Sequence, residues 1–276
     1  MNIHVDSYFT IGHSHDVCQD YAAHASWGDR HVFMVADGCS SAPDTDFGSR
    51  LLCKAALNSI RMMTCFPESI DQKFHDDFRN MCIFPAYVQL KSLGMELNSL
   101  MSTLLVGISD GKMIHMLMYG DGYTLVKSKT GFCIGRMMFP NSSPFYPAYC
   151  INSNERNRYM SIVGGRDNNQ TEYTLWSPIE SMTWNNKLDD PLFTSYHVAD
   201  LEYVMVATDG FGSFMNMEKG EQIDDFNLMH TQLTLKNHAG AFIKRRMKAF
   251  KRSLVGTSIR HDDDIGVAGI YFDHSK

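Results

Sequence analysis

The stretch Phe33-Met34-Val35-Ala36-Asp37-Gly38 decides the fold. An apolar β-type run ends in a carboxylate, and a glycine follows at once. A strand that stops this way delivers a charged side chain to the rim of a sheet. The glycine lets the backbone turn sharply and expose its carbonyl. The pattern returns at Tyr203-Val204-Met205-Val206-Ala207-Thr208-Asp209-Gly210, and Asp262-Asp263-Asp264 precedes an apolar run from Ile265 to Phe272. One Asp-Gly is an ordinary turn signal. Three acidic strand ends, far apart in sequence, meet only if the fold gathers one end of its sheets. Oxygen ligands gathered so suit hard divalent cations such as magnesium or manganese.

Composition narrows the class. The chain has 276 residues, is 44% hydrophobic and 20% charged, and carries a net charge of −6. One large domain spanning 1–276 is expected, and no basic excess points to nucleic acid. The seven cysteines are Cys18, Cys39, Cys53, Cys65, Cys82, Cys133 and Cys150. Their number is odd and no pair has C-x-x-C spacing, which argues for a reducing compartment over a disulfide framework. Met1-Asn2-Ile3-His4-Val5-Asp6 has no basic segment leading into an apolar one, so no secretory signal is expected. No apolar run is long enough to cross a bilayer. The expectation is a soluble cytoplasmic monomer with neither membrane nor nucleic-acid partners.

Along the chain, Tyr8 to Ile11 suggests a strand, Gly12 to Asp20 is polar, and His31 to Ala36 is the strand ending in Asp37. Ser40 to Asp46 is a loop that suits a helix start. From there Phe47, Leu51, Leu52, Ala55, Ala56 and Ile60 have helical spacing. A second helical region covers Tyr87 to Leu97. Then Ser102 to Ile108 and Met113 to Met118 read as strands joined by the tight turn Ser109-Asp110-Gly111-Lys112. Gly120-Asp121-Gly122 is another turn, and Tyr123 to Lys127 continues the sheet. Short strands with tight turns mean antiparallel pairing. Residues 131–201 read as an irregular insertion, with strands expected at Tyr146–Ile151 and Tyr159–Val163 and a loop from Gly164 to Asp200. That segment is read as a variable surface insertion in preference to a substrate lid. A short helix follows Asp209-Gly210, and Ala239, Phe242, Ile243, Met247 and Phe250 form a helical apolar stripe. The opposite face, with Lys244, Arg245, Arg246, Lys248, Lys251 and Arg252, reads as a solvated face.

Several motifs fail. Asp46-Phe47-Gly48 spells a kinase triplet, but no Gly-rich loop or His-Arg-Asp loop accompanies it. Asp44-Thr45-Asp46 opens like a calcium loop, without the glycine at the sixth position or the glutamate at the twelfth. Neither G-x-x-x-x-G-K-[ST] nor H-E-x-x-H occurs.

The ordered set Cys18-Gln19-Asp20, Val35-Ala36-Asp37-Gly38, Ser102-Thr103-Leu104-Leu105, Gly120-Asp121-Gly122, Ala207-Thr208-Asp209-Gly210-Phe211 and Asp263-Asp264-Ile265-Gly266-Val267 resembles the metal-dependent serine/threonine protein phosphatases of the 2C type, and most their divergent bacterial branch. The resemblance implies an α+β fold, a four-layer α/β/β/α sandwich of two antiparallel sheets flanked by helices. It implies two Mn2+ or Mg2+ ions in a cleft at one end of the sandwich. Asp37 would bridge both, Gly38 would offer its carbonyl to one, Asp209 and Asp263 would complete the other, and Asp20 would hold waters behind them. Asp264, beside Asp263, is the alternative ligand. The implied chemistry is attack of a metal-activated water on phosphorus, with the charge on the phosphoryl oxygens stabilised by the metals. Phosphorylated protein would be the substrate and a serine/threonine kinase the opposing enzyme, in a bacterial signalling role.

The set departs from the family pattern in the groups that grip substrate. His15 stands where the family has a phosphate-binding arginine, and a neutral imidazole grips phosphate less well than a guanidinium fork. Cys39 replaces a histidine after Asp-Gly, Ser40-Ser41 replaces a glycine-rich continuation, and Gly122 replaces a serine. No acidic residue is assigned to a third metal. The expectation is an active phosphatase with Asp37, Asp20 and His15 as its catalytic set; the alternative is a weakly active pseudo-phosphatase acting as a regulatory binding protein.

Overall fold

The computed structural model describes residues 1–63, 72–163, 170–235 and 237–275. In chain order its strands are β1 Asn2–Thr10, β2 Tyr21–Trp27, β3 Arg30–Ala36, β4 Leu104–Ser109, β5 Met113–Tyr119, β6 Gly122–Ser128, β7 Phe132–Met138, β8 Gln170–Trp176, β9 Ser181–Lys187, β10 Leu192–His197, β11 Leu201–Ala207, β12 Phe214–Asn216, β13 Glu221–Gln222, β14 Ile259–His261 and β15 Ile265–Asp273. Its α-helices are α1 Thr45–Met62, α2 Gln72–Ser92, α3 Ser153–Ile162, α4 Asp225–Leu233 and α5 Phe242–Leu254.

Every strand pairs antiparallel. One sheet runs β1-β15-β11-β6-β7-β8-β9 and the other β10-β5-β4-β3-β2, with a small third ribbon β13-β12-β14. The layers follow from the two-residue period of a strand. In β3, Phe33 and Val35 face the core between the sheets, while Val32, Met34 and Ala36 pack against α1 and α2. In β11, Val204 and Val206 enter that same inter-sheet core, and Tyr203, Met205 and Ala207 meet α4 and α5. The stretches Val32–Ala36 of β3 and Tyr203–Ala207 of β11 are apolar at every position because both of their faces are covered. The expected four-layer sandwich is therefore the observed one. Phe33 also explains a small residue opposite: it pairs with Gly107 across β4, where an added Cβ would sit 2.1 Å from its ring.

The insertion differs from expectation. The Tyr146–Ile151 strand is a 3-10 turn at Pro147–Cys150, and the Tyr159–Val163 strand is the end of α3. The loop expected from Gly164 to Asp200 contains β8, β9 and β10, which extend both sheets; its residues 164–169 lie outside the described residues. β9 is exposed at nearly every position, so it carries none of the alternation that announces a half-buried strand. α3 buries only Tyr159, and so shows no apolar stripe. Of the helical region expected at 87–97, residues 87–92 are the C-terminal end of α2, which runs from Gln72 to Ser92 with Pro85 inside it, and Leu97 opens a 3-10 turn to Leu100. The short helix after Asp209 is a 3-10 turn, and Phe214 opens β12. β2, β7 and α4 were not anticipated. The α5 stripe is buried as expected, while its basic face is partly tied down: Arg246 reaches the Thr231 and Gln232 carbonyls and Lys251 reaches Thr10. Among the described residues no helix is long and apolar enough to cross a membrane.

Candidate active site

Strand register gathers the acids. Tyr21 pairs with Ala36, which puts Asp20 and Asp37 at the same end of the five-stranded sheet. Ala207 pairs with Val267 on one side and with Tyr123 on the other, so Asp209, Asp263 and Asp121 share one end of the seven-stranded sheet. The link from β5 to β6 crosses from one sheet to the other there, through Gly120-Asp121-Gly122. Both glycines have positive φ, 109° and 129°, a conformation that side chains resist. The result is a cleft of about 520 Å³ whose lining includes His15, Asp37, Gly38, Asp121, Asp209 and Asp263.

Hydrogen bonds hold Asp37 through its backbone and Asp20 through its carboxylate. The Asp37 amide donates to Thr103 Oγ1 at 3.0 Å, and the Asp37 carbonyl accepts from the Thr103 amide at 2.8 Å. Thr208 Oγ1 donates to Asp20 Oδ2 at 2.6 Å and accepts from the Gly266 amide at 2.8 Å, which ties β2, β11 and β15 together. Gly38 packs so closely that a Cβ there would lie 2.7 Å from the Thr45 carbonyl oxygen and 3.0 Å from that of Gln19.

Oxygens of Asp37, Asp121 and Asp209 all lie within 4.8 Å of one another. Burial, followed by the charges of Asp20, Asp209, Asp121 and Asp263, pushes the Asp37 carboxyl well above the usual carboxylate range. Asp121 is raised by burial and then by Asp209, and Asp20 by burial, with Thr208 opposing. Burial and then Asp263 raise Asp209 to about 7. Burial also raises Asp263, against which His15 acts. Such crowding of like charges is stable at neutral pH only if protons or cations are shared among them. Asp121 Oδ1 is buried and has no hydrogen-bond partner among the described residues, an arrangement that is costly unless something binds it. An all-oxygen set with an orphaned carboxylate oxygen fits a hard divalent cation.

The structure brings together all the acids singled out in the sequence but ranks them differently. Asp37 and Asp209 are in the tight group together with Asp121, from the Gly120-Asp121-Gly122 turn, while Asp263 lies outside it. The signal of Asp121 was available, since an acid between glycines before the apolar run of β6 mirrors the strand-end acids. Asp263 remains on the cleft wall, its side chain 40% exposed. Asp264 is 1% exposed and both its oxygens serve the 12–19 loop, accepting from the Gly12 and Gln19 amides at 2.7 and 2.6 Å. His15 lies between the two, with Nδ1 3.1 Å from Asp264 Oδ2 and Nε2 3.8 Å from Asp263 Oδ1. Cys39 lines the cleft, its Sγ 3.1 Å from Ser41 Oγ. The far wall, not anticipated at all, comes from the insertion and includes Tyr146, Tyr149, Arg158 and Tyr159.

The family model described as protein phosphatase 2C matches residues 12–244. Among solved structures, the chain is similar to the serine/threonine phosphatase Stp1 from Staphylococcus aureus, at 9% identity and a TM-score of 0.60, over 99% of this chain and 96% of that one. It is similar to a bacterial serine phosphatase at 10% identity and a TM-score of 0.59, over the whole of both chains. It is also similar to the S. agalactiae serine/threonine phosphatase at 13% identity and a TM-score of 0.53, over 99% and 100%. At these identities the likeness is one of fold. No curated protein sequence matches this chain.

Proposed function

The chain belongs to the protein phosphatase 2C family, and on that premise we propose that it is a metal-dependent phosphoprotein phosphatase hydrolysing phosphoserine and phosphothreonine. The supporting observation is the convergence of Asp20, Asp37, Asp121, Asp209 and Asp263 at one end of the sandwich, with Asp121 Oδ1 buried and unpartnered among the described residues. Asp37, Asp209 and Asp263, with the Gly38 carbonyl, are the proposed holders of two Mn2+ or Mg2+ ions, and Asp121 joins them on geometry. Those ions, when bound, would supply an activated water and the positive charge that phosphoryl transfer demands. The residues supply position. Thr103 fixes the Asp37 backbone, Thr208 fixes Asp20 behind it, and the β5–β6 crossing carries Asp121 to the same point. Asp20 orients water from behind Asp37. A phosphorylated protein is the proposed substrate and a serine/threonine kinase its proposed counterpart, in the cytoplasm, with the phosphatase acting as a monomer.

A second reading, a regulatory binding protein with little turnover, draws on one observation. The side chain at position 15 is a histidine whose ring nitrogens lie 3.1 Å from Asp264 and 3.8 Å from Asp263, so two carboxylates stand where a phosphate would have to approach it. Turnover of an aryl phosphate and of a phosphothreonine peptide with added manganese separates the readings. Hydrolysis of both, abolished by chelation, is the expected result. No hydrolysis of either, with peptide binding retained, would establish the regulatory reading.

A further inference from the structure

We propose that Arg158, on the cleft-facing side of α3, grips the phosphoryl group of the substrate. This rests on the phosphoester reading of the same cleft. Glu155, Arg158, Tyr159 and Ile162 all line it. Their spacing of three, four and seven residues is that of one helical face, so α3 presents a continuous face to the carboxylate cluster. Among the described residues that line the cleft, Arg158 is the sole arginine or lysine.

The helix is anchored so that this face is held in place. Asn152 caps it by accepting from the Glu155 amide at 3.2 Å, and its own side-chain amide donates to Asn98 Oδ1 at 3.1 Å. Tyr159 is buried, donates to the Ser143 carbonyl at 2.9 Å, and packs on Phe145 and Tyr149. Tyr149, Tyr159 and Arg158 line the same cleft as Asp37, Asp121 and Asp209.

Arg158 itself is available. Its side chain is 72% exposed, and its ion pair is with Glu155, at 3.8 Å and one helical turn away. Exposed pairs of that kind are weak, so a phosphate dianion, which a guanidinium can grip through two parallel hydrogen bonds, displaces Glu155 readily. The carboxylates at the floor repel a phosphate. A cation opposite them, together with bound metal, is what lets the dianion enter. Arg156, two residues earlier on α3, is paired with Asp189 at 3.7 Å and does not line the cleft, so it serves as a charge-matched control.

The test compares wild type, Arg158→Ala, Arg158→Lys and Arg156→Ala in full-length protein with magnesium. It has two readouts. Equilibrium binding is followed by fluorescence anisotropy of a labelled phosphothreonine-mimetic peptide bearing a non-hydrolysable phosphonate, against its unphosphorylated counterpart. Steady-state turnover of the phosphothreonine peptide resolves KM from kcat. Arg158→Ala is expected to raise both the phosphonate-peptide Kd and KM by about tenfold or more, the usual weight of a charge-assisted contact, with kcat changed about twofold at most. Arg158→Lys recovers part of the loss and Arg156→Ala loses nothing. An unchanged Kd in Arg158→Ala, or an equal loss for the unphosphorylated peptide, overturns the assignment. Absence of any wild-type turnover would defeat the phosphatase reading alone, because the binding arm still reports on Arg158.

Discussion

Replacing Asp209 with asparagine should make the metal-free protein more stable at alkaline pH. Burial and the neighbouring Asp263 hold the Asp209 carboxyl at about 7 in the fold, against 3.8 for the ordinary group. The folded state thus keeps its proton through a range where the unfolded chain has lost it. Between those two values the folded state binds more protons, so stability falls as pH rises. At about 1.4 kcal/mol per pKa unit, ionising Asp209 costs the fold about 4 kcal/mol once pH passes 7, and about 2 kcal/mol at pH 5. Asparagine keeps the shape and never ionises. In chelator, Asp209→Asn should therefore gain on wild type by about 2–3 kcal/mol more at pH 8 than at pH 5, or roughly 5–10 °C in Tm for a chain of this size. Differential scanning calorimetry of both proteins at the two pH values measures it; the paired comparison cancels the titrating groups outside the cluster, while relief of the Asp37 and Asp121 carboxyls, which the Asp209 charge raises, adds to the gain in the same direction. Adding magnesium or manganese at pH 8 should reverse the order, because ligands that bind the fold stabilise it and the variant has lost a ligand. If the Tm difference between variant and wild type is the same at both pH values, the crowding argument for this cleft is wrong.

Three further outcomes are expected. Asp37→Ala should retain under about a tenth of wild-type hydrolysis with an unchanged circular dichroism spectrum, since losing a shared ligand removes several kcal/mol of transition-state stabilisation; activity above that level would refute bridging by Asp37. Exhaustive chelation should stop turnover, with manganese or magnesium restoring it and calcium doing so poorly, as the small all-oxygen cluster implies; turnover that persists after verified metal removal excludes the mechanism. His15→Ala should change KM for a phosphothreonine peptide less than about twofold, because the imidazole faces the carboxylates of Asp263 and Asp264, which repel a phosphate dianion brought against it; a KM rise matching that of Arg158→Ala would return the phosphate to position 15.

What could be read from sequence alone was what strands and turns write locally. The continuous apolar runs of β3 and β11 announce strands covered on both faces, and each ends in Asp-Gly. The α5 stripe at Phe242, Ile243, Met247 and Phe250 announces its buried face. Local chemistry was enough because each signal lies within about ten residues. The insertion was opaque for the opposite reason. β9 is exposed along its length, and α3 buries one side chain, so neither carries the periodicity that betrays an element. Their conformations are set by pairing and packing rather than by their own pattern: β9 pairs with β8, which pairs in turn with β7, and Tyr159 packs on Phe145 and Tyr149. The cleft was decided in the same way. Asp121 reads locally as a turn residue, and only the crossing of the β5–β6 link between sheets carries it to the acids; Asp264, the alternative to Asp263 in sequence, turns both its oxygens to the 12–19 loop. Which carboxylate faces the others depends on strand register and sheet stacking. Those are settled by burial across the whole sandwich, and no window of neighbouring residues contains that information.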